Sequence, residues 1–229
     1  MPKRGYCFKH PSNIIVAGPT GCGKTFFLHR VLQHRLFDPM PTRIVVVYAE
    51  WQDMYSEWKR WYPTTEFIHG FDASIYDKFS RAERNLLIID DQMGKAGKSN
   101  VLMDLFTKAS HHRNLTVVYL VQNIYDSGAA MRTASLNTQY FVIFKNARDR
   151  QQLVTLGRQM FPGAAQYLSK LVEKETMANP RAYVILCTRP DVADSGRVTV
   201  GVLPGERFGC YRVPGTVMPK SVYVRHLKG

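Results

Sequence analysis

Eight residues near the start of the chain have the composition of a phosphate-binding loop: Gly18-Pro19-Thr20-Gly21-Cys22-Gly23-Lys24-Thr25. The apolar run Asn13-Ile14-Ile15-Val16-Ala17 precedes them and a helical pattern follows, which is the context this spacing requires. Gly18, Gly21 and Gly23 let the backbone curl so that its N–H groups converge on phosphate oxygens. The helix beginning near Lys24 adds the positive end of its dipole. Lys24 is expected to reach the β- and γ-phosphates of ATP, and the Thr25 hydroxyl to coordinate Mg²⁺.

Sixty-six residues after Lys24, the run Asn85-Leu86-Leu87-Ile88-Ile89-Asp90-Asp91 ends an apolar strand in two carboxylates. Such a strand end lies beside the loop, so Asp90 is expected to hold Mg²⁺, usually through water. Asp91 is placed to orient or deprotonate an attacking water. A third run, Thr116-Val117-Val118-Tyr119-Leu120-Val121, ends in Gln122 and Asn123. Gln122 is expected to sense the γ-phosphate from between Asp90 and the loop. Arg113 precedes that strand and would fall away from its own phosphates, towards a neighbouring subunit. Acting in trans, it would be an arginine finger, worth about 10³–10⁵ in rate; the alternative is a solvated cation that suits a helix C-terminus. His111 and His112 lack a third ligand at metal spacing and read as cap residues.

These groups need a scaffold that brings several strand ends to one edge. Short apolar runs alternate with helical patterns along the chain, the signature of a parallel sheet covered on both faces. Strands are expected at residues 13–17, 43–48, 85–90, 116–121 and 139–144, all nearly continuous in apolar residues, as buried parallel strands are. Helices are expected at about 24–36, 53–61, 73–83, 101–112 and 149–159. From 177 to 229 the pattern changes to short strands at 183–187, 198–202 and 223–225 between Pro and Gly turns. That stretch either extends the sheet edge or forms a small β-rich appendage. The reading is one α/β domain over 1–229, with a core at about 10–165 and a C-terminal extension at about 177–229.

Composition narrows the class further. A chain of 229 residues, 45% hydrophobic and 21% charged, can bury a sizeable core and does not read as disordered. No apolar run approaches the roughly 18 residues needed to cross a bilayer, and the N-terminus lacks the apolar stretch of a secretory signal. Four cysteines without C-x-x-C spacing argue against zinc, and Cys22 inside the loop argues for reduced thiols in a reducing compartment. Thirty-one Lys and Arg against eighteen Asp and Glu leave a formal charge of +13. That excess suits a polyanionic partner, most commonly nucleic acid. Lys95 and Lys98, on the Gly-rich stretch after Asp91, are candidate DNA-phosphate contacts, and an ordinary exposed loop is the equal alternative. Arg148, Arg150 and Arg158 share one helical pattern that reads first as a solvated basic face. The aromatic residues Trp51, Tyr55, Trp58, Trp61 and Tyr62 are expected in core or subunit contacts.

Taken in order, these motifs resemble those of the HerA–FtsK superfamily of ring-forming ATPases. Within it the chain is most similar to the viral genome-packaging ATPases of poxvirus-like and Polinton or adintovirus-type elements. Residues 18–25, 86–91, 105–123, 131–137 and 144–151 carry the resemblance, which spans about 10–165. It implies a RecA-like P-loop fold and a homo-oligomeric ring, hexamer or pentamer, that spends ATP to drive double-stranded DNA into a preformed capsid. It also implies a capsid or portal partner, residence in an infected cell or its virions, the trans role of Arg113 and the sensor role of Gln122. One departure is visible: related pumps commonly end this strand in Asp-Glu, whereas this chain has Asp90-Asp91. Two other readings compete. A small-molecule or nucleoside kinase would share the loop, but the charge and Gln122 argue against it. A basic nucleic-acid-binding capsid protein with a vestigial nucleotide site would have no reason to keep Lys24, Thr25, Asp90 and Asp91.

Overall fold

The structure, a computed structural model, describes residues 6–90, 100–109, 113–125, 129–148, 150–215 and 224–225. Its strands are β1 (Phe8–Lys9), β2 (Asn13–Ala17), β3 (Phe37–Asp38), β4 (Arg43–Tyr48), β5 (Glu66–His69), β6 (Asn85–Asp90), β7 (Leu115–Val121), β8 (Tyr140–Phe144), β9 (Tyr183–Cys187), β10 (Val198–Val200), β11 (Gly209–Tyr211) and β12 (Val224–Arg225). Ten of them form one sheet in the order β12-β11-β10-β9-β8-β2-β7-β6-β4-β5, while β1 and β3 pair apart. From β8 to β5 the pairing is parallel throughout. β9 joins β8 antiparallel, and β10, β11 and β12 continue outward from it. The C-terminal stretch therefore extends the sheet edge.

The helices are α1 (Lys24–Gln33), α2 (Asp53–Trp61), α3 (Asn100–Asp104), α4 (Ala129–Leu136), α5 (Gln151–Met160) and α6 (Tyr167–Ala178). They cover both faces, which is why the central strands are apolar at every position rather than at alternate ones. On one face Ile14, Val16, Val46, Ile88 and Leu120 pack with Phe27, Leu28 and Val31 of α1 and with Tyr55 and Trp58 of α2. On the other Ile15, Val45, Leu87, Ile89 and Tyr119 meet Leu102 of α3, Met131 of α4, Leu153 and Leu156 of α5, and Leu168 and Leu171 of α6. Each fully buried Leu, Ile or Val side chain contributes about 1.5–3 kcal/mol. Among the described residues, no helix is long and apolar enough to cross a membrane.

Three expected helices differ. α1 stops at Gln33, short of residue 36, because Arg35 takes the left-handed conformation (φ 55°). Its N–H then donates to the Leu32 carbonyl and that of Leu36 to Val31, a Schellman stop made without glycine. The stretch 73–83 forms only a 3₁₀ turn, Ala73–Lys78, after which Phe79 is extended. Asn85 draws the chain towards the sheet by donating to the Ser80 carbonyl (2.7 Å). The 101–112 helix begins as α3 and passes into π geometry over Leu105–Ala109. α4, α6, β1, β3, β5 and β11 lie outside the expected elements.

Candidate active site

Parallel pairing sets the C-terminal ends of β2, β7, β6 and β4 side by side, and the loop after β2 curls at that edge. Gly23 has a φ of 107° and Gly21 one of 79°, values that L side chains rarely adopt. Gly18 is required for a different reason: a Cβ there would lie 2.7 Å from both Cys22 Sγ and Phe144 Cβ. Its N–H donates to the Val121 carbonyl (3.1 Å), tying the loop to β7. Lys24 begins α1 and folds across the loop, its ammonium donating to the carbonyls of Gly18 (2.7 Å) and Pro19 (3.1 Å). Among the described residues no carboxylate pairs with it, so its charge stays available for an anion. Burial raises the Cys22 thiol above its ordinary value, which keeps it neutral beside that anion.

Asp90 is buried at the end of β6, 3% exposed, and a buried carboxylate must be hydrogen-bonded. Its Oδ2 accepts from Tyr55 Oη (2.7 Å), Thr25 Oγ1 (3.2 Å) and Gln52 Nε2 (3.2 Å). Thr25 and Asp90 thus present a hydroxyl and a carboxylate oxygen to each other across the space beside Lys24. These are the hard oxygen donors that Mg²⁺ takes in phosphate sites, and the pair fits the ion. Bound there, Mg²⁺ would supply charge neutralisation on the phosphate oxygens. The cavity in front of Lys24, Thr25 and Asp90 has a volume of about 540 Å³, within the usual range for small-molecule sites. Glu50, Trp51 and Gln52 line it from the loop after β4, and Phe26 and Arg181 line it too.

β7 lies between β2 and β6, so Gln122, the residue after its last, stands between the loop and the Asp90 strand. Its side chain is exposed and lines a second cleft with Pro19, Thr20, Asn123 and Asn146. Behind it three amides are joined: Asn123 Oδ1 accepts from Gln152 Nε2 (3.1 Å) and Asn146 Nδ2 (3.2 Å). Gln152 Oε1 in turn accepts from the Ile124 N–H (2.6 Å). This network locks the end of β7 to α5 and to the turn after β8.

Comparison with known proteins agrees with this arrangement. No protein-family model and no curated protein sequence matches the chain. Its structure is similar to that of the genome packaging NTPase B204 from Sulfolobus turreted icosahedral virus 2 in complex with sulfate. The TM-score is 0.55 at 12% identity, over 84% of this chain and 96% of that one. The same protein in complex with AMPPCP gives 0.52 at 12% identity, over 83% and 96%. B204, the DNA-packaging ATPase from Sulfolobus Turreted Icosahedral Virus, gives 0.52 at 13% identity, over 83% and 97%. The fold is that of the P-loop, RecA-like ATPases.

In this RecA-like sheet Arg113 sits just before β7, at the edge opposite the phosphate loop. It is half-buried, and its guanidinium donates to the backbone carbonyls of Tyr76 and Phe79 and lies over the Tyr76 ring. Lys24, Thr25, Asp90 and Gln122 are thus brought to one edge, and Arg113 is not. Asp91, Lys95, Lys98, His111 and His112 lie outside the described residues. Arg150 pairs with Glu173 at the surface (3.1 Å). Tyr55 and Trp58 are core residues, whereas Trp51 and Trp61 are 46% and 56% exposed. Sequence reasoning missed Gln52 and the Tyr55 hydroxyl as partners of Asp90, and Glu50 and Arg181 as lining residues. The signal for the first two was available in part. A strand pairing beside β6 must end near Asp90, and the polar residues just after it are the candidates.

Proposed function

We propose that the chain is an ATP-driven translocase of double-stranded DNA that packages a viral genome into a preformed capsid. It works as a homo-oligomeric ring of the HerA–FtsK type. The observation that carries this reading is the strand order β2-β7-β6, with Lys24, Thr25 and Asp90 converging on one cavity while Gln122, just past the end of β7, lines the cleft beside Pro19 and Thr20. Similarity in fold to two viral packaging ATPases over more than four-fifths of the chain supports it, as does the formal charge of +13. In this reading Lys24 and the loop N–H groups hold the phosphates, Thr25 and Asp90 hold Mg²⁺, and Gln122 senses the γ-phosphate. Asp91 orients or deprotonates the attacking water, Arg113 serves the neighbouring subunit, and Lys95 and Lys98 touch the DNA backbone. A capsid or portal component is the structural partner, inside the infected cell. Nothing in the site favours a kinase.

The test is phosphate release measured with and without double-stranded DNA on samples whose oligomeric state is sized in parallel. DNA-stimulated turnover by a ring is expected, absent in Lys24→Ala, with DNA affinity falling steeply as salt rises. Turnover by monomers that ignore DNA would overturn the translocase reading.

A further inference from the structure

The cleft that Gln122 lines adjoins the nucleotide cavity, and Thr20 is common to both. It has a volume of about 620 Å³. Pro19 and Thr20 come from the phosphate loop, Gln122 and Asn123 follow β7, and Asn146, Ala147 and Arg148 follow β8. The polar side chains are thus one hydroxyl, three carboxamides and one guanidinium, and among the described residues no carboxylate lines the cleft. A guanidinium flanked by amide and hydroxyl donors is a lining that suits a phosphate group.

Arg148 is held at this cleft by its neighbours. Its sequence pattern groups it on one helix with Arg150 and Arg158, but α5 begins at Gln151 and Arg148 lies in the bend before it. Its N–H donates to Asn146 Oδ1 (3.0 Å), and Asn146 Nδ2 donates to Asn123 Oδ1 (3.2 Å). Gln152, buried at 9% exposure, donates to the same Asn123 oxygen (3.1 Å). Asn123 therefore accepts twice through Oδ1 and keeps Nδ2 as its donor, which no partner among the described residues takes. The Arg148 side chain is exposed, and no carboxylate among the described residues pairs with it. Arg150 differs on both counts: it pairs with Glu173 and does not line the cleft.

We propose that this cleft is a second phosphate-binding site, in which Arg148 and the Asn123 amide hold a phosphate group beside the cavity that takes ATP. The inference rests on the ATPase reading above and adds to it a site joined to the nucleotide through Thr20. Two sources carry that chemistry: a backbone phosphate of the DNA, as a contact additional to Lys95 and Lys98, and the inorganic phosphate that hydrolysis releases.

Arg148→Ala removes the cation and leaves the backbone N–H that shapes the bend. Arg148→Lys keeps the charge without the planar fork, and Arg150→Ala is the control, with the same change in charge outside the cleft. Each protein is first loaded with Mg²⁺ and a non-hydrolysable ATP analogue, so that added phosphate cannot report the nucleotide cavity. One arm follows the affinity for a DNA duplex against salt; the other follows binding of inorganic phosphate by calorimetry. If backbone phosphate is the ligand, Arg148→Ala weakens DNA binding more than Arg150→Ala does and lowers the slope of log affinity against log salt by about 0.9. If free phosphate is the ligand, wild type binds it and Arg148→Ala weakens that binding by about 10- to 100-fold, as loss of a charged hydrogen bond should. In either case Arg148→Lys falls between wild type and Arg148→Ala. Arg148→Ala matching Arg150→Ala in both arms would overturn the proposal. Neither arm needs turnover, so a wild type that binds the analogue and never hydrolyses ATP would end the ATPase reading without deciding the fate of this site.

Discussion

At the scale of single residues, the site is organised around one carboxylate oxygen. Asp90 Oδ2 joins the hydroxyl of Thr25 to two side chains from the α2 region, Gln52 and Tyr55. Tyr55 is fully buried and packs against Tyr48, Trp51, Trp58 and Phe67, so its hydroxyl is aimed by the core and not by solvent. Tyr55→Phe keeps that packing and deletes the donor. A hydrogen bond to a buried charge is worth about 1.5–3 kcal/mol, and the variant should lose stability of that order. It should also need several-fold more Mg²⁺ to bind ATP, because the carboxylate is no longer held facing Thr25. Denaturant midpoints and a Mg²⁺ titration of nucleotide binding measure both effects. If both are unchanged, Asp90 is not positioned by Tyr55.

At the scale of elements, the strands legible in the sequence were those buried on both sides. β2, β4 and β6 appear with the expected bounds, and β7 and β8 differ by one residue at their starts. β5 was invisible because Glu66–His69 is short, half-exposed and carries a polar residue at each end. The loop, Asp90 and Gln122 could be placed from sequence because each is punctuation at the end of an apolar run. Glu50 and Gln52 could not, since their meaning depends on β4 pairing beside β6, a tertiary fact. The failed helix at 73–83 shows the same limit. Ile75 and Phe79 have helical spacing and are both buried, yet Arg113, from elsewhere in the chain, takes the Tyr76 and Phe79 carbonyls. This central-to-edge gradient is measurable. Ile88 in β6 is fully buried, and Ile88→Ala should cost about 2–5 kcal/mol. Ile68 in edge strand β5 is only half-buried, and Ile68→Ala should cost less than half as much. Equal losses in urea unfolding would contradict the layered core.

At the scale of the whole molecule, the question is whether one chain contains a complete site. Arg113 precedes β7, whose other end is at the phosphate loop, and seven strand residues separate them by roughly 20 Å. Within its own chain Arg113 therefore cannot reach a phosphate held by Lys24. In a ring, that opposite edge is a surface available to the next subunit's cavity, provided the guanidinium leaves the Tyr76 and Phe79 carbonyls. The trans role separates cleanly from a purely structural one by mixing two inactive proteins. Lys24→Ala subunits lack the phosphate ligand but keep Arg113, and Arg113→Ala subunits keep Lys24. A junction in which the second supplies the nucleotide and the first supplies the arginine is complete. Mixed rings should regain part of wild-type turnover, with a maximum near equal proportions. Arg113→Ala alone should bind ATP and not turn it over. Its melting curve shows whether the 3₁₀ turn has been lost instead. If mixed rings assemble and stay inactive while wild-type rings hydrolyse ATP, Arg113 serves its own chain's fold, and the neighbour must complete the site with a different residue or not at all.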